Sequence, residues 1–141
     1  MVTLIGMGSG SWEALSVQAQ DAVRRAGLVF GAKRLLAGLP PECTARQFAL
    51  YQPAEILETL AQAPGQDAAV LYSGDTGFYS GASGLLTPLR ALGIPARVYP
   101  GVSSIQLLAA ALGRPWQGWN LVSAHGRTCD PVAEFMKGRP T

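Results

Sequence analysis

Three glycine-bearing stretches and one histidine hold the residues whose types and spacing could do chemistry. Gly74 and Asp75 lie in Tyr72-Ser73-Gly74-Asp75-Thr76-Gly77-Phe78-Tyr79-Ser80, which gathers a carboxylate, hydroxyls and aromatics. Val102, Ser103 and Ser104 follow the Pro100-Gly101 turn and open an alanine-rich apolar run that stops at Gly113. Gly6, Gly8 and Gly10 alternate with Met7 and Ser9 directly after a short apolar run. His125, the only histidine, stands in Ser123-Ala124-His125-Gly126-Arg127. Glycines let a backbone turn sharply and approach a ligand closely, and a serine-capped helix start attracts polar groups. The chemistry these residues offer is therefore that of holding and orienting a polar ligand. Each also has a plainer reading. Asp75 between Gly74 and Gly77 can be a turn former. Ser103 or Ser104 can be a helix cap, which leaves the other hydroxyl for a ligand. The glycine loop can be only a tight turn, and His125 either a structural or a ligand-facing residue.

What is missing narrows the chemistry. The order of Ser, His and Asp, the glutamates and the histidine make no nucleophilic triad, paired-acid site or metal cluster. The spacing of Gly6, Gly8 and Gly10 is not the dinucleotide fingerprint, because Ser11 stands where the third glycine is required. No acidic residue closes the second strand, where Gly31-Ala32-Lys33 stands, and no Gly-Lys-Ser/Thr completes a phosphate loop. A nicotinamide-dependent oxidoreductase is thus disfavoured. Charged residues make up only 14% against 48% hydrophobic, so the chain has a core and is not disordered. The net charge of +2, without a Lys/Arg run, gives no support to a nucleic-acid partner. Cys43 and Cys129 lie far apart and read as free thiols of a reducing cytoplasm. Neither a basic-then-apolar leader nor an apolar stretch of the ~20 residues that span a membrane is visible.

The elements that must position these loops alternate. Apolar runs at residues 2–5, 28–30, 68–72 and 96–99 read as strands, with 68–72 central. Between them lie helical patterns: one capped by Ser16 with Ala19, Ala22, Val23 and Ala26 on a face and Gly27 as its stop, a short one over 32–37, and one begun by Pro53. A fourth covers 82–92, which Pro88 should bend, and a fifth is capped by Ser103. Apolar strands between helices predict an α/β fold with an open parallel sheet covered on both faces. Its ligand edge is the carboxyl edge, where all three loops emerge. Residues 1–113 read as one domain, 114–119 as a linker, and 120–141 as the start of a second domain opening with a strand over 120–124.

Four of these segments, in this order and spacing, resemble the tetrapyrrole (corrin/porphyrin) methylases. They are Ile5-Gly6-Met7-Gly8-Ser9-Gly10; Leu28-Val29-Phe30-Gly31 with Arg34-Leu35-Leu36; Leu71 to Tyr79; and Tyr99-Pro100-Gly101-Val102-Ser103-Ser104. The stretch Ser123-Ala124-His125-Gly126-Arg127 is similar to the branch that methylates precorrin-6Y or cobalt-precorrin-7 at C-5 in cobalamin biosynthesis. The resemblance implies a cytoplasmic, homodimeric, two-domain enzyme with S-adenosylmethionine as methyl donor in the cleft between domains, of which this chain holds the N-terminal domain and the start of the second. It implies that Gly74, Asp75, Val102, Ser103 and Ser104 meet the donor, with Asp75 in a positioning role and His125 the other catalytic candidate. Gly6, Gly8 and Gly10 would border the tetrapyrrole, no metal is implied, and a C-15 methylating, decarboxylating partner, fused or separate, is expected. Methyl transfer suits a site without a triad, because the donor's sulfonium is already electrophilic and the protein mainly aligns the reactants. One departure stands out: the family's Gly-Pro-Gly-Asp is Gly8-Ser9-Gly10-Ser11 here. Other readings are a ribosomal-RNA ribose or diphthine methylase of the same fold, and a non-catalytic N-terminal fragment.

Overall fold

The computed structural model describes residues 1–123, 130, 132 and 133. The chain divides into two compact units, Met1–Ser104 and Ile105–Thr141. The first is built on five parallel strands, β1 (Val2–Gly6), β2 (Leu28–Phe30), β3 (Arg46–Phe48), β4 (Ala68–Tyr72) and β5 (Ala96–Tyr99), in the order β3-β2-β4-β1-β5. Four helices connect them: α1 (Val17–Arg25), α2 (Lys33–Leu36), α3 (Pro53–Ala61) and α4 (Ala82–Ala91). The open parallel α/β sheet expected from the apolar runs is thus present.

Side-chain alternation along the strands explains why both faces are covered. Ile5, Val29, Ala69 and Leu71 point to one face, where they meet Ala19 and Val23 of α1 and Leu35 and Leu36 of α2. Leu4, Leu28, Phe30 and Val70 point to the other, against Ile56 of α3 and Ala82, Leu85 and Leu89 of α4. The division follows from handedness. The chain steps one way from β1 to β3 and then back through β4 to β5, and right-handed crossovers place helices on opposite faces when the direction reverses. Adjacent β1 and β4 therefore send α1 and α4 to opposite faces. A sheet of this kind opens a crevice at the carboxyl ends of such a strand pair.

Local signals account for the helix boundaries. The Ser16 hydroxyl accepts the Ala19 N–H at 3.2 Å, as a cap should. Pro53 occupies the first turn of α3, where its missing N–H costs nothing. α1 ends with Ala26 as its cap, in extended backbone, and Gly27 follows directly before β2, where the helix was expected to stop. α4 runs through Pro88 to Ala91. β3 was not foreseen. It is an edge strand whose Arg46 and Gln47 are exposed, so it lacks the apolar run that betrays a central strand. Its Phe48 stacks on Phe30 with centroids 5.2 Å apart, and the Arg46 guanidinium lies 5.3 Å from the Phe48 ring centroid.

In the second unit, helix α5 (Ser104–Leu112) begins on the last residue of the first unit, consistent with Ser103 at the cap position. Beyond it Trp119 N–H donates to the Trp116 carbonyl at 3.0 Å, and Trp116 is exposed. The strand expected over 120–124 is not found in its described part, residues 120–123. An apolar run becomes a strand only with a ladder partner, and none pairs with it among the described residues. Among the described residues no helix is long and apolar enough to cross a membrane.

Phe30 is fully buried and bridges the central strands to β3. Phe30→Ala should lower unfolding free energy by about 3–5 kcal/mol, the usual cost of deleting a buried aromatic. Urea unfolding of the two proteins measures it.

Candidate functional site

The site begins with strand register. Gly6 of β1 lies opposite Tyr72 of β4, and Ile5 opposite Tyr99 of β5, so three strands end at one level. Their loops then join. Met7 N–H donates to the Tyr72 carbonyl at 2.7 Å, Gly8 N–H to the Gly74 carbonyl at 3.1 Å, and Gly74 N–H to the Gly8 carbonyl at 2.9 Å. Gly8 and Gly74 form an antiparallel bridge after two parallel strands, which requires the chain to reverse locally. Their φ angles of 58° and 67° lie in the left-handed region that glycine enters without strain.

Gly6, Gly74 and Gly101 meet backbone to backbone. A Cβ on Gly6 would lie 2.5 Å from the Gly101 nitrogen and 2.8 Å from the Gly74 oxygen. A Cβ on Gly101 would collide with the Gly74 and Gly6 oxygens. Here glycine is required for space. Asp75 fastens this junction: one carboxylate oxygen accepts the Gly101 N–H at 3.1 Å and the other the Gly77 N–H at 3.1 Å. The Thr76 hydroxyl, buried, donates to the Tyr99 carbonyl at 3.4 Å. Residues 74–76 thus bind the end of β4 to the loop after β1 and to the loop after β5.

The expected residues gather accordingly. Gly6, Gly8, Gly74, Asp75, Val102, Ser103 and Ser104 share the carboxyl edge. Ser103 is buried, whereas Ser104 is exposed and Val102 is 38% exposed. Beside them Gly74 leaves room: a Cβ built there meets only the Ser103 Cα, at 3.8 Å. Gly10 is held by its N–H on the Met7 carbonyl at 2.9 Å. His125 and Cys129 lie outside the described residues. Cys43 is buried, and burial is the main cause that pushes its thiol pKa up, leaving it poorly nucleophilic. No group of three metal-ligating side chains occurs among the described residues.

Two features were missed or undervalued in the sequence. Arg34 is exposed on α2, and its Nη1 would lie 3.4 Å from a Cβ on Gly10, which sets a cation beside the glycine loop. Only the resemblance to Arg34-Leu35-Leu36 could have hinted at it. Tyr79 has a φ of 46°, is 53% exposed, and packs edge-on against Phe78 with ring centroids 4.9 Å apart. Tyr72, at the end of β4, has its phenol pushed up to about 12 by burial.

Two outcomes follow. Gly101→Ala should cost about 3 kcal/mol or more, because both obstructing atoms are backbone. Gly118→Ala, which meets nothing within 4 Å, is the neutral control, and urea midpoints compare the two. Tyr72 should make stability fall as pH rises from 10 to about 12, since the unfolded phenol ionises first and the folded one holds its proton. Tyr72→Phe should flatten that part of the urea-midpoint profile.

The family model of the tetrapyrrole (corrin/porphyrin) methylases matches residues 1–138. The cobalt-precorrin-7 C(5)-methyltransferase of Salmonella typhimurium is 33% identical over 129 residues, 90% of this chain and 62% of the relative. The precorrin-4 C(11)-methyltransferase of Mycobacterium tuberculosis is 34% identical over 120 residues, 80% of this chain and 48% of the relative. A solved structure of uroporphyrin-III C-methyltransferase from Thermus thermophilus, complexed with S-adenyl homocysteine, superposes with a TM-score of 0.62 at 25% identity, covering 78% of this chain and 47% of that one. The chain thus spans about half to two-thirds of the length of these relatives. By sequence and by fold, the chain belongs to the tetrapyrrole (corrin/porphyrin) methylases.

Proposed function

We propose that this chain supplies the donor-binding edge of an S-adenosylmethionine-dependent methyltransferase of cobalamin biosynthesis that acts at C-5 of precorrin-6Y or cobalt-precorrin-7. The observation that carries the reading is the junction of three strand-end loops, where glycine backbones and Asp75 hold Val102 and Ser104 at the crevice edge. The assignment to C-5 is supported by the Ser123-to-Arg127 stretch and by the relative from Salmonella typhimurium. The 34% identity to a C(11)-methyltransferase makes C-11 of precorrin-4 the competing position.

The residues suit such a donor. Gly74 leaves open space beside Ser103, and Ser104 offers an exposed hydroxyl at the start of the nine-residue helix α5. S-adenosylmethionine, when bound, supplies a methyl group on a positively charged sulfur. Gly74, Val102, Ser103 and Ser104 form the wall that orients it, with Asp75 bonded to Gly101 in its support, and alignment of this kind contributes ~7–11 kcal/mol to a bimolecular reaction. On the other side, the loop that carries Gly6, Gly8 and Gly10 is proposed to border the tetrapyrrole, with Ser9 exposed and Gly10 half-buried. Arg34 beside Gly10 is placed to pair with a ring carboxylate. The third to half of the relatives' length that this chain does not span would supply a second wall, and a homodimer and a C-15 methylating partner are part of this proposal.

Calorimetric titration with S-adenosylhomocysteine tests the donor site. Ser104→Phe, at an exposed position, should weaken binding at least about tenfold, a loss of about 1.4 kcal/mol. An unchanged dissociation constant removes this loop from the site. The position of the label in product made with methyl-labelled donor separates C-5 from C-11.

A further inference from the structure

We propose that Asp75 is a positioning residue: its carboxylate fixes the loop that presents Val102 and Ser104, and does not itself contact the methyl donor. The word donor rests on the reading given above; the positioning does not.

The argument starts from acceptors. Gly101 and Gly77 approach the carboxylate from two sides, and each N–H takes a different oxygen, at 3.1 Å. Only a carboxylate offers an acceptor at both places, since an asparagine would turn its NH2 toward one of the two N–H groups. Gly101 has little freedom to find another partner. It is pressed against the backbones of Gly6 and Gly74, and its bond to Asp75 is partly buried. Bonds to charged acceptors are the stronger class, and a partly buried N–H left without one carries a desolvation penalty. Gly77 differs, because its bond is exposed and water can replace Asp75 there. The Thr76-to-Tyr99 bond runs from the same loop to the end of β5, two residues before Gly101. Asp75 and Thr76 together therefore set where the chain leaves β5, and so where Val102 to Ser104 stand. The two N–H directions already assigned to Asp75 account for its charge without a ligand.

Amide hydrogen exchange by NMR on the 141-residue chain, with S-adenosylhomocysteine titrated into the same samples, tests the proposal. Asp75→Ala should speed exchange at Gly101 and Gly77 about tenfold or more and leave the interior amides of β1 and β4 unchanged. Asp75→Asn should keep Gly101 protected and release only Gly77. Donor affinity should follow Gly101 protection, so Asp75→Asn stays within about threefold of wild type while Asp75→Ala falls. Unaltered Gly101 exchange in Asp75→Ala overturns the proposal. So does an Asp75→Asn protein that keeps Gly101 protected yet loses as much affinity as Asp75→Ala, because the charge would then be meeting the ligand. Should Asp75→Ala not fold, Asp75→Asn carries the test: Gly101 protected and Gly77 released supports it, and both amides at the wild-type rate overturn it. If the wild-type chain binds no S-adenosylhomocysteine, the donor reading falls, and the exchange pattern alone decides the role of Asp75.

Discussion

Close contact between three backbones, with no side chain between them, is the constraint on which the rest of this edge depends. Gly6, Gly74 and Gly101 come from the ends of three neighbouring strands and leave no room for a single methyl group at Gly6 or Gly101. Once they touch, the loops after β1, β4 and β5 cannot move independently. Backbone packing alone has no direction, however, and the hydrogen bonds supply it. The paired bonds between Gly8 and Gly74 set one side, and the Asp75 and Thr76 bonds set the other. Residues that protrude from these loops, Val102 and Ser104 among them, inherit their positions from this junction.

The parallel sheet was readable because β1, β2 and β4 are short, largely apolar runs, buried along nearly their whole length as strands covered on both faces are. β3 escaped for the opposite reason: an exposed edge strand of Arg46, Gln47 and Phe48 has no run to detect, and only tertiary pairing to β2 makes it a strand. The stretch 120–123 erred in the other direction: Leu121 and Val122 suggest a strand, yet among the described residues it joins no ladder. Site residues were legible as loops at one edge, since glycines, a carboxylate and paired serines stand out from the apolar background. Their division of labour was not legible. Nothing in the string Gly74-Asp75-Thr76-Gly77 says that the carboxylate turns inward to Gly101, twenty-six residues away, because that direction depends on the distance between two strand ends. The proximity of Arg34 to Gly10 is a tertiary fact of the same kind.

An edge of this type is suited to chemistry whose reactive group arrives with the ligand. The relatives named by sequence and structure act on different tetrapyrroles and at different ring positions, while the fold is common to them. Arg34, close to Gly10, and the Phe78-Tyr79 pair are among the side chains of the first unit that stand around the edge. Exposed aromatic and cationic groups of this sort can vary without disturbing the junction beneath them.

The central claim is that the three joined loops form the methyl-donor site. It is tested most directly by amide chemical-shift mapping of the chain with S-adenosylhomocysteine. The account predicts that shifts concentrate at Gly74 and at residues 101–104, extend to Gly8 across the bridge, and leave β3 and α3 unmoved. Shifts centred on β3 or α3, with Gly74 and Gly101 unchanged, would contradict it.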